Sequence, residues 1–323
     1  SPASWLDSFH SPLLAGVIFF KEDLVKKSLK LISTSLITIL VLVGASVISS
    51  RYVEHYTSEF IEHDISSEYL SEERRIFVRL PKGYDKSKSY PLIIKSDGNF
   101  NLSRWHETVT ILSDKTLIED SIIVAIPNLF WIDTRNRDLV PPYARKDVQI
   151  EARPDTENSP KIFGKADLFL SFIEKEVIPF VERKYSINNN RVLSGFSAGG
   201  SFVLYTIVTK PELFTGYFAF SPAAWYDNSV VVQEFKNGLS KLSKKPLFIY
   251  LSIGGNENEI ITGSFKGLLS AIESNAPTNF NYAYHYSENA GHSENPYYSV
   301  PKALLAYYEF REKNITTRPE VDD

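Results

Sequence analysis

Residues 190–211 read NRVLSGFSAGGSFVLYTIVTKP, a stretch that predicts a short buried strand, a tight turn and an apolar helix in succession. The turn carries the pattern G-x-S-x-G, with Ser197 between Gly195 and Gly199. A serine in such a turn is held in a strained backbone conformation, and glycine on either side removes β-carbons that would collide there. The pattern therefore predicts that the Ser197 hydroxyl is presented at the end of a strand as a nucleophile.

The same turn predicts part of an anion-binding site. The backbone N–H of Ala198 is expected to point toward the reacting carbonyl, where it would donate a hydrogen bond to the negative oxygen of a tetrahedral intermediate. A serine hydroxyl is nevertheless a weak nucleophile by itself. It needs a base within hydrogen-bond reach and a third group that holds the base in the correct tautomer.

His292 is the predicted base. It lies in a loop after a late predicted strand, between Gly291 and Pro296. Two other histidines are less suitable, because His106 falls within a predicted helix and His285 within a predicted strand. A loop position at the end of a strand leaves His292 free to approach a serine on a neighbouring strand.

The acid is less closely specified. When a serine lies in this kind of elbow, the acid is expected after the serine and before the histidine, at the end of a strand. Glu257 meets this requirement, because it follows the apolar run PLFIYLSI at 246–253. Asp227 and Glu259 remain alternatives, and an exposed loop carboxylate without a catalytic role is the simplest other explanation of Glu257.

The surrounding sequence predicts an α/β domain. Residues 91–98 and 121–128 predict buried strands that end in turns, and residues 104–117 between them predict a helix. A strand-helix-strand order of this length implies a parallel crossover, so the sheet is expected to be mostly parallel. Residues 75–80 alternate as an edge strand or a half-exposed strand does, and residues 165–185 predict one long amphipathic helix.

Composition limits the class of protein. The 323 residues are 43% hydrophobic, which is enough to bury one large core. A formal net charge of -4 and the absence of basic blocks argue against nucleic acid as a partner. Cysteine is absent, which excludes disulfides, thiolate zinc sites and a cysteine nucleophile. His55 and His63 are expected to be solvated, since no second ligand pair lies at metal spacing. Neither a metal nor an organic cofactor is expected.

The beginning of the chain predicts an export signal. Lys26, Lys27 and Lys30 precede the uncharged run LITILVLVGASVI at 36–48, which small residues follow. This run is shorter than the roughly 20 residues of a membrane span, so it suits a cleaved secretory signal better. Export to the periplasm or the medium is therefore predicted. The alternative is an uncleaved membrane anchor over residues 31–50, which would be the protein's only membrane contact.

Residues Ser1 to Leu24 fit poorly before a signal, because a signal normally starts a few residues ahead of its lysines. They are interpreted as not being native coding sequence, with translation expected to begin near Val25 and cleavage expected near Ser49. The predicted organisation is a leader at 1–49, a linker at 50–66, a catalytic domain at 67–315 and a polar tail at 316–323.

A long polar segment at 133–164 contains several prolines and shows no sustained period, as functional lids and irregular excursions do. Its basic residues either solvate the loop or contact an anionic substrate, and Arg137 is predicted to bind substrate. Trp225 and Tyr226 follow the predicted strand at 216–220 and are expected to line the pocket. Core packing is the alternative for both rings.

Together these residues resemble the esterase D-like or enterochelin-esterase-like branch of the α/β-hydrolases, over residues 65–310. The matching stretches are YPLIIKSDGNF at 90–100, VAIPN at 124–128, RNRDLVPP at 135–142, EKEVIPFVERKY at 174–185, SGFSAGGSFVLY at 194–205, PELFTGYFAFSPAAWYDN at 211–228 and GHSENPYYSVPKALLAYY at 291–308. The resemblance implies the α/β-hydrolase fold, with a mostly parallel central sheet and helices on both faces.

The resemblance also implies roles for individual residues. Ser197 would be the nucleophile, His292 the base and Glu257 the acid, because residues 254–257 look like the family's loop of glycines followed by a carboxylate. The amide of Asn99 would be the second donor of the oxyanion hole. The chain departs from the family in two places. It has a long insertion at 143–163, and it has alanines at 223 and 224, which puts the acyl pocket of the family in question.

The sequence as a whole predicts an exported serine esterase that hydrolyses a small-molecule carboxylic ester through an acyl-serine intermediate. A catecholate siderophore ester, or a related polar ester, is the predicted substrate. One alternative is an acyltransferase of the same fold, in which an alcohol instead of water would accept the acyl group from the serine. A non-catalytic binding protein is another, although such a protein would have no physical need for both Ser197 and His292.

Overall fold

The structure is a computed structural model that describes residues 26–45, 59–128, 134–148, 163–242 and 246–316. The chain divides into two compact units, residues 1–58 and residues 59–323. The described part of the first unit is one helix, α1 (Lys26–Ala45), whose side chains are exposed. The predictions about Ser1 to Leu24, Val25, Ser49 and the tail beyond 316 lie outside the described residues.

Helix α1 is longer than the apolar run that the sequence analysis singled out. Its 20 residues have a hydropathy of 1.9, so by length and composition it satisfies the requirement for a membrane span. A signal sequence near an N-terminus satisfies the same requirement. Both interpretations of the beginning of the chain are therefore compatible with this helix.

The second unit is built on one sheet of eight strands in the order β1-β2-β4-β3-β5-β6-β7-β8. The strands are β1 (Phe60–Ser67), β2 (Glu72–Arg79), β3 (Tyr90–Lys95), β4 (Ile122–Ala125), β5 (Ile187–Phe196), β6 (Gly216–Phe220), β7 (Leu247–Gly254) and β8 (Phe280–Ser287). β2 pairs antiparallel with β1 and with β4, and all other neighbouring strands are parallel. The prediction of a mostly parallel sheet is confirmed.

Helices cover both faces of this sheet. They are α2 (Leu102–Asp114), α3 (Thr134–Leu139), α4 (Ala166–Phe172), α5 (Ile178–Lys184), α6 (Ala198–Thr209), α7 (Tyr226–Leu239), α8 (Glu259–Asn275) and α9 (Asn295–Thr316). Side chains of a strand alternate between faces, so Leu92 and Ile94 belong to one buried cluster and Ile93 to the other. The first cluster includes α4 to α8, and the second includes α2 and α9.

Three local predictions are wrong. Residues 60–66, assigned to a linker, form strand β1, and β2 lies between two strands instead of at an edge. Helix α3 occupies part of the segment expected to be irregular. The helix predicted at 165–185 is confirmed, as a continuous helical run that contains a π-helical turn at Ile173–Val177 between α4 and α5. This turn precedes Pro179, whose ring cannot follow a regular α-helical turn without a clash.

Arg79 is a fully buried charge in β2. Its guanidinium donates hydrogen bonds to the Asp120 carboxylate, to the Ser121 carbonyl at 2.8 Å and to the Thr110 hydroxyl at 2.9 Å. We expect Arg79→Met to lower the free energy of unfolding by about 3 kcal/mol, because it leaves a mostly buried carboxylate without its charged partner. Urea denaturation followed by circular dichroism measures this loss.

Arg75 supplies the matched control, because it lies in the same strand but pairs with Asp64 and Glu62 at the surface. Arg75→Met is expected to change the free energy of unfolding by less than about 0.5 kcal/mol, as exposed ion pairs contribute little. Equal losses in the two variants would contradict the assignment of Arg79 as a structural charge.

Candidate active site

The G-x-S-x-G turn connects β5 to α6 as predicted. Ser197 has φ 56° and ψ -115°, which is a strained conformation for a residue with a β-carbon. A β-carbon on Gly195 would collide with the backbone of Gly199, and one on Gly199 would lie 2.5 Å from the Ser96 hydroxyl. The Ser197 N–H donates to the Phe220 carbonyl at 3.0 Å. The two glycines and this hydrogen bond therefore hold Ser197 in position at the carboxyl end of β5.

Glu257 follows β7, and its side chain is fully shielded from solvent. One carboxylate oxygen accepts hydrogen bonds from the Ser221 hydroxyl and from the Gly254 N–H at 2.7 Å. The other oxygen is 2.6 Å from His292 Nδ1. Burial acts to raise the pKa of Glu257, but these three hydrogen bonds together hold it below its ordinary value. Glu257 is thus an ionised carboxylate that can only accept hydrogen bonds.

His292 lies in the loop between β8 and α9. Because the Glu257 carboxylate is an acceptor, His292 Nδ1 carries the proton of this hydrogen bond, and Nε2 of the neutral ring is left as the basic nitrogen. The imidazole also contacts the ring of Phe196, with 4.7 Å between the ring centroids. Phe196 is the residue immediately before Ser197, so the imidazole lies beside the serine elbow.

The Ser197 hydroxyl and His292 are not joined by a hydrogen bond in the described part of the chain. The hydrogen bond between a nucleophile and its base is often long until substrate is bound, so this geometry is compatible with the pair.

Two glycines bring the acid loop and the histidine loop together. A β-carbon on Gly254 would lie 2.5 Å from the Ala290 carbonyl, and one on Gly255 would collide with the Glu288 carbonyl. The close approach is stabilised by hydrogen bonds from the Gly255 N–H to the Ser287 carbonyl and from the Asn256 N–H to the Ala290 carbonyl, at 2.9 and 3.0 Å. Glycine is therefore needed at both positions before Glu257, because any larger residue would prevent the two loops from packing this closely.

A buried polar network supports Glu257 from below. Its centre is Asn295, the first residue of α9, which is fully buried. The Asn295 amide group makes hydrogen bonds with four buried serine hydroxyls, those of Ser221, Ser252, Ser287 and Ser299. Sequence analysis missed this network, although Asn295 and Ser221 both lie in stretches that carried the family resemblance.

The two other candidate acids do not contact His292. Asp227 accepts a hydrogen bond from the backbone N–H of Arg145 at 3.0 Å and lies 3.9 Å from Lys146 Nζ. Glu259 begins helix α8 and is exposed to solvent. The structure therefore brings Glu257, and neither alternative, next to the histidine.

Both residues predicted for the oxyanion hole follow the carboxyl ends of neighbouring strands. Ala198 is the first residue of α6, where backbone N–H groups and the helix dipole favour negative charge. Asn99 follows β3, and its side-chain carbonyl accepts a hydrogen bond from the Asn128 N–H at 3.2 Å. The Gly98 N–H donates to the Ile126 carbonyl at 2.8 Å, which holds this loop against the end of β4.

A cavity of about 360 Å³, here called the inner cavity, lies beside the His292 loop. Its lining includes Asp97, Trp105, Arg135, Phe196, Phe220 and Ser293. The buried guanidinium of Arg135 makes two hydrogen bonds to the Asp97 carboxylate, at 2.8 and 2.9 Å. Burial opposes the charge, but the Asp97 carboxylate raises the pKa of Arg135 above its ordinary value. The cavity wall thus contains an ion pair among aromatic rings.

The three predicted substrate-binding residues do not line this cavity. The guanidinium of Arg137 is bound by both oxygens of Glu72, at 2.9 and 2.6 Å, and by Asp138 at 2.8 Å, so its charge is used within the fold. Tyr226 is buried, and burial raises its pKa to about 12. Trp225 packs against the same core cluster and contacts the ring of Tyr226. Core packing is the role of both rings.

Among the described residues, no group of three or more histidine or acidic side chains is arranged to hold a metal ion. Glu257 and His292 are hydrogen-bonded to each other, and Glu257 also accepts from the Ser221 hydroxyl and the Gly254 N–H. A carboxylate and an imidazole paired in this way can support acid–base chemistry at a neighbouring hydroxyl.

Comparison with known proteins identifies the family of this chain. The family model Esterase, described as "Putative esterase", matches residues 67–297. Ferri-bacillibactin esterase BesA of Bacillus subtilis is 31% identical over 188 residues, which are 55% of this chain and 64% of that protein. The siderophore enterobactin esterase of Emericella nidulans is 38% identical over 130 residues, 38% of this chain and 42% of that protein. The chain thus spans less than two thirds of either relative.

Solved structures show the same fold. The BES protein from Bacillus cereus superimposes with a TM-score of 0.69 at 25% identity, covering 78% of this chain and 97% of that chain. An IroE-like serine hydrolase from Shewanella oneidensis has a TM-score of 0.70 at 23% identity, covering 78% and 80%. The resemblance predicted from the sequence is confirmed. Because the family model covers most of the chain, this protein belongs to the Esterase family and has the α/β-hydrolase fold.

Proposed function

We propose that the protein is a serine hydrolase that cleaves a carboxylic ester of a siderophore through an acyl-serine intermediate. The hydrogen bond between Glu257 and His292, beside the strained turn that presents Ser197, is the observation that carries the proposal. The names of the curated relatives, which are esterases of ferri-bacillibactin, enterobactin and triacetylfusarinine C, support the substrate class.

In the proposed reaction, Ser197 Oγ attacks the ester carbonyl carbon while its proton passes to His292 Nε2. The carbonyl oxygen becomes negative and accepts hydrogen bonds from the N–H groups of Ala198 and Asn99. The intermediate collapses, the C–O bond to the alcohol breaks, and the alkoxide takes the proton from Nε2. Water then attacks the acyl-serine with His292 again as base, and the acid is released from Ser197.

Glu257 would act through His292 in both halves of this reaction. A carboxylate at Nδ1 keeps the proton on that nitrogen, so that Nε2 is available to accept a proton from Ser197. The same carboxylate stabilises the imidazolium that forms in each transition state. Its low pKa supports this role, because a protonated carboxyl group would lose the charge that the imidazolium needs.

We also propose that α1 directs the protein out of the cytoplasm, either as a cleaved signal or as a membrane anchor. The length and apolar composition of the helix, together with the lysines at its beginning, support this location. N-terminal sequencing of the protein isolated from its natural source distinguishes the two forms. Recovery of the protein with α1 intact in the cytosol would contradict both.

The first prediction concerns the nucleophile. We expect the wild-type protein to hydrolyse a catecholate trilactone faster than feruloyl or small aryl esters, and Ser197→Ala to lose about 10⁴- to 10⁶-fold in rate on all of them. The thermal midpoint should not change, since the substitution removes one accessible hydroxyl. A variant that keeps a tenth of the activity would place the nucleophile elsewhere.

The second prediction concerns the acid. Glu257→Gln is expected to lower kcat by about 10³- to 10⁴-fold with little change in KM, because a neutral amide cannot stabilise the imidazolium. Glu259→Gln and Asp227→Asn serve as matched controls and are expected to behave nearly as wild type. Steady-state kinetics of the three variants decides the assignment. A selective loss of kcat in either control would identify that residue as the acid.

The third prediction uses the low pKa of Glu257. A group whose folded-state pKa is depressed stabilises the fold above its ordinary pKa of 4.5, and this contribution is lost as pH falls through the folded pKa. Ser221→Ala removes one donor to the ionised carboxylate. We expect it to lower the free energy of unfolding by about 2 kcal/mol at pH 7, and by less as pH falls below that ordinary pKa.

Ser252→Ala is the control for this experiment. Ser252 is equally buried and accepts a hydrogen bond from Asn295, but its hydroxyl does not bond to Glu257. Its effect on the free energy of unfolding, measured by urea denaturation across the same pH range, should not depend on pH. A Ser221→Ala effect that is equally independent of pH would show that the hydroxyl supports the network and leaves the Glu257 pKa unchanged.

A further inference from the structure

Strand β8 forms one edge of the central sheet. It is the last strand in the sheet order, and it pairs with β7 over its whole length without a bulge. Among the described residues, no element other than β7 makes backbone hydrogen bonds to residues 281–286. The backbone N–H and C=O groups that face away from β7 can therefore bind a strand from another molecule.

The two edges of this sheet differ in their protection. Proteins usually prevent pairing at an exposed edge with charges, prolines, bulges or short strands. The opposite edge, β1, carries Glu62 and Asp64, which pair with Arg75 at the surface. The β8 sequence FNYAYHYS contains no acidic residue, no lysine, no arginine and no proline. Burial and the nearby charge of Lys302 lower the pKa of His285, so this side chain of β8 is neutral at pH 7.

Three exposed tyrosines lie along the unprotected edge. Tyr282, Tyr284 and Tyr286 are 39%, 50% and 37% exposed, and the period of a strand places them on one face. Tyr286 packs edge-on against Phe265 of α8 and against Tyr284, with ring centroids 5.5 and 6.0 Å away. Tyrosine is enriched at protein interfaces, because its ring buries a large apolar area while its hydroxyl can still make a hydrogen bond. We call residues 282–286 the tyrosine edge.

The tyrosine edge is nearly symmetric about Tyr284. A tyrosine lies two residues away on either side, and the residues between them are an alanine and a histidine. A twofold axis that passes perpendicular to the sheet at Tyr284 would pair β8 antiparallel with its own copy. Tyr284 would then face Tyr284 of the second copy, and Tyr282 would face Tyr286. All of these rings would lie on one face, and no like charges would meet within the paired strands.

We propose that the protein forms a twofold dimer in which the tyrosine edges of two copies pair antiparallel and join the two sheets into one. A second copy is the partner because the pattern of side chains on β8 is complementary to itself. In this dimer the strands of the two copies run in opposite directions, so the two candidate active sites lie on opposite sides of the joined sheet. The proposal does not depend on the proposed ester hydrolysis.

The oligomeric state of the full chain tests this proposal. Analytical ultracentrifugation in a mild detergent, which keeps α1 in solution, should show a dimer of the wild-type protein. Tyr284→Lys would place two like charges opposite each other at the twofold axis. We expect it to raise the dissociation constant of the dimer by about 30-fold or more.

Ile61→Lys is the matched control, because Ile61 is 44% exposed on β1 at the other edge of the same sheet. It should leave the dissociation constant unchanged. A monomeric wild-type protein would overturn the proposal. So would a dimer that persists in a folded Tyr284→Lys variant with an unchanged thermal midpoint, since another surface, such as α1, would then hold the two copies together.

Introduced thiols test the register of the two strands. The chain contains no cysteine, so a single introduced thiol can form a disulfide only with another copy. Residues that lie directly opposite in an antiparallel pair have Cα atoms about 4.5 to 5.5 Å apart, which a disulfide can span. Tyr284→Cys should therefore give a covalent dimer after oxidation with copper phenanthroline. Tyr286→Cys alone should not, because its equivalent in the second copy lies about 13 Å further along the strand.

Mixing two variants completes the register test. Tyr282→Cys and Tyr286→Cys, incubated together so that subunits exchange, should form a covalent dimer that neither variant forms alone. Electrophoresis without reducing agent measures each product, and Ile61→Cys reports disulfides that arise from random collision. If Tyr284→Cys forms no more covalent dimer than Tyr286→Cys or Ile61→Cys, the twofold pairing at Tyr284 is refuted.

Discussion

The arrangement of the candidate active site depends on the hydrogen bonds that the buried carboxylate of Glu257 accepts. A buried charge is stable only when its hydrogen-bonding capacity is satisfied, and Glu257 accepts from Ser221, Gly254 and His292. These three donors follow or end three successive parallel strands, β6, β7 and β8. The need to satisfy one carboxylate therefore ties together the carboxyl ends of three strands, at the edge where parallel sheets form their sites.

The same requirement extends into helix α9. Asn295 links the serine that donates to Glu257 with serines of β7, β8 and α9 itself, so the first turn of the helix is anchored in the polar network. Two residues further along, Tyr297 lines a cavity of about 580 Å³ between the beginnings of α2 and α9. The network thus supports both the histidine loop and this cavity. A substitution at Asn295 would alter both.

Most arginines near the site are used by the fold. Arg135 is paired with Asp97 in the wall of the inner cavity, and Arg137 is paired with Glu72 and Asp138. These two arginines are two residues apart on a short helix, and so they point in different directions. Arg104 differs from them, because its guanidinium faces an aromatic ring instead of a carboxylate.

The sequence by itself determined the serine elbow, the mostly parallel sheet and the family. These follow from local causes, namely the glycines around Ser197, the apolar runs of the parallel strands, and the order in which the turn motifs occur. Strand β1 was missed because it pairs with one neighbour only and most of its side chains are polar, so its sequence has the composition of a linker. Only the tertiary structure shows that Glu257, and neither Asp227 nor Glu259, contacts His292, because this contact depends on which loop Gly254 and Gly255 allow to pack against the histidine loop. It also showed that Arg135 lies in the wall of the inner cavity whereas Arg137 is paired with Glu72 and Asp138. These results arise from contacts between residues far apart in the chain.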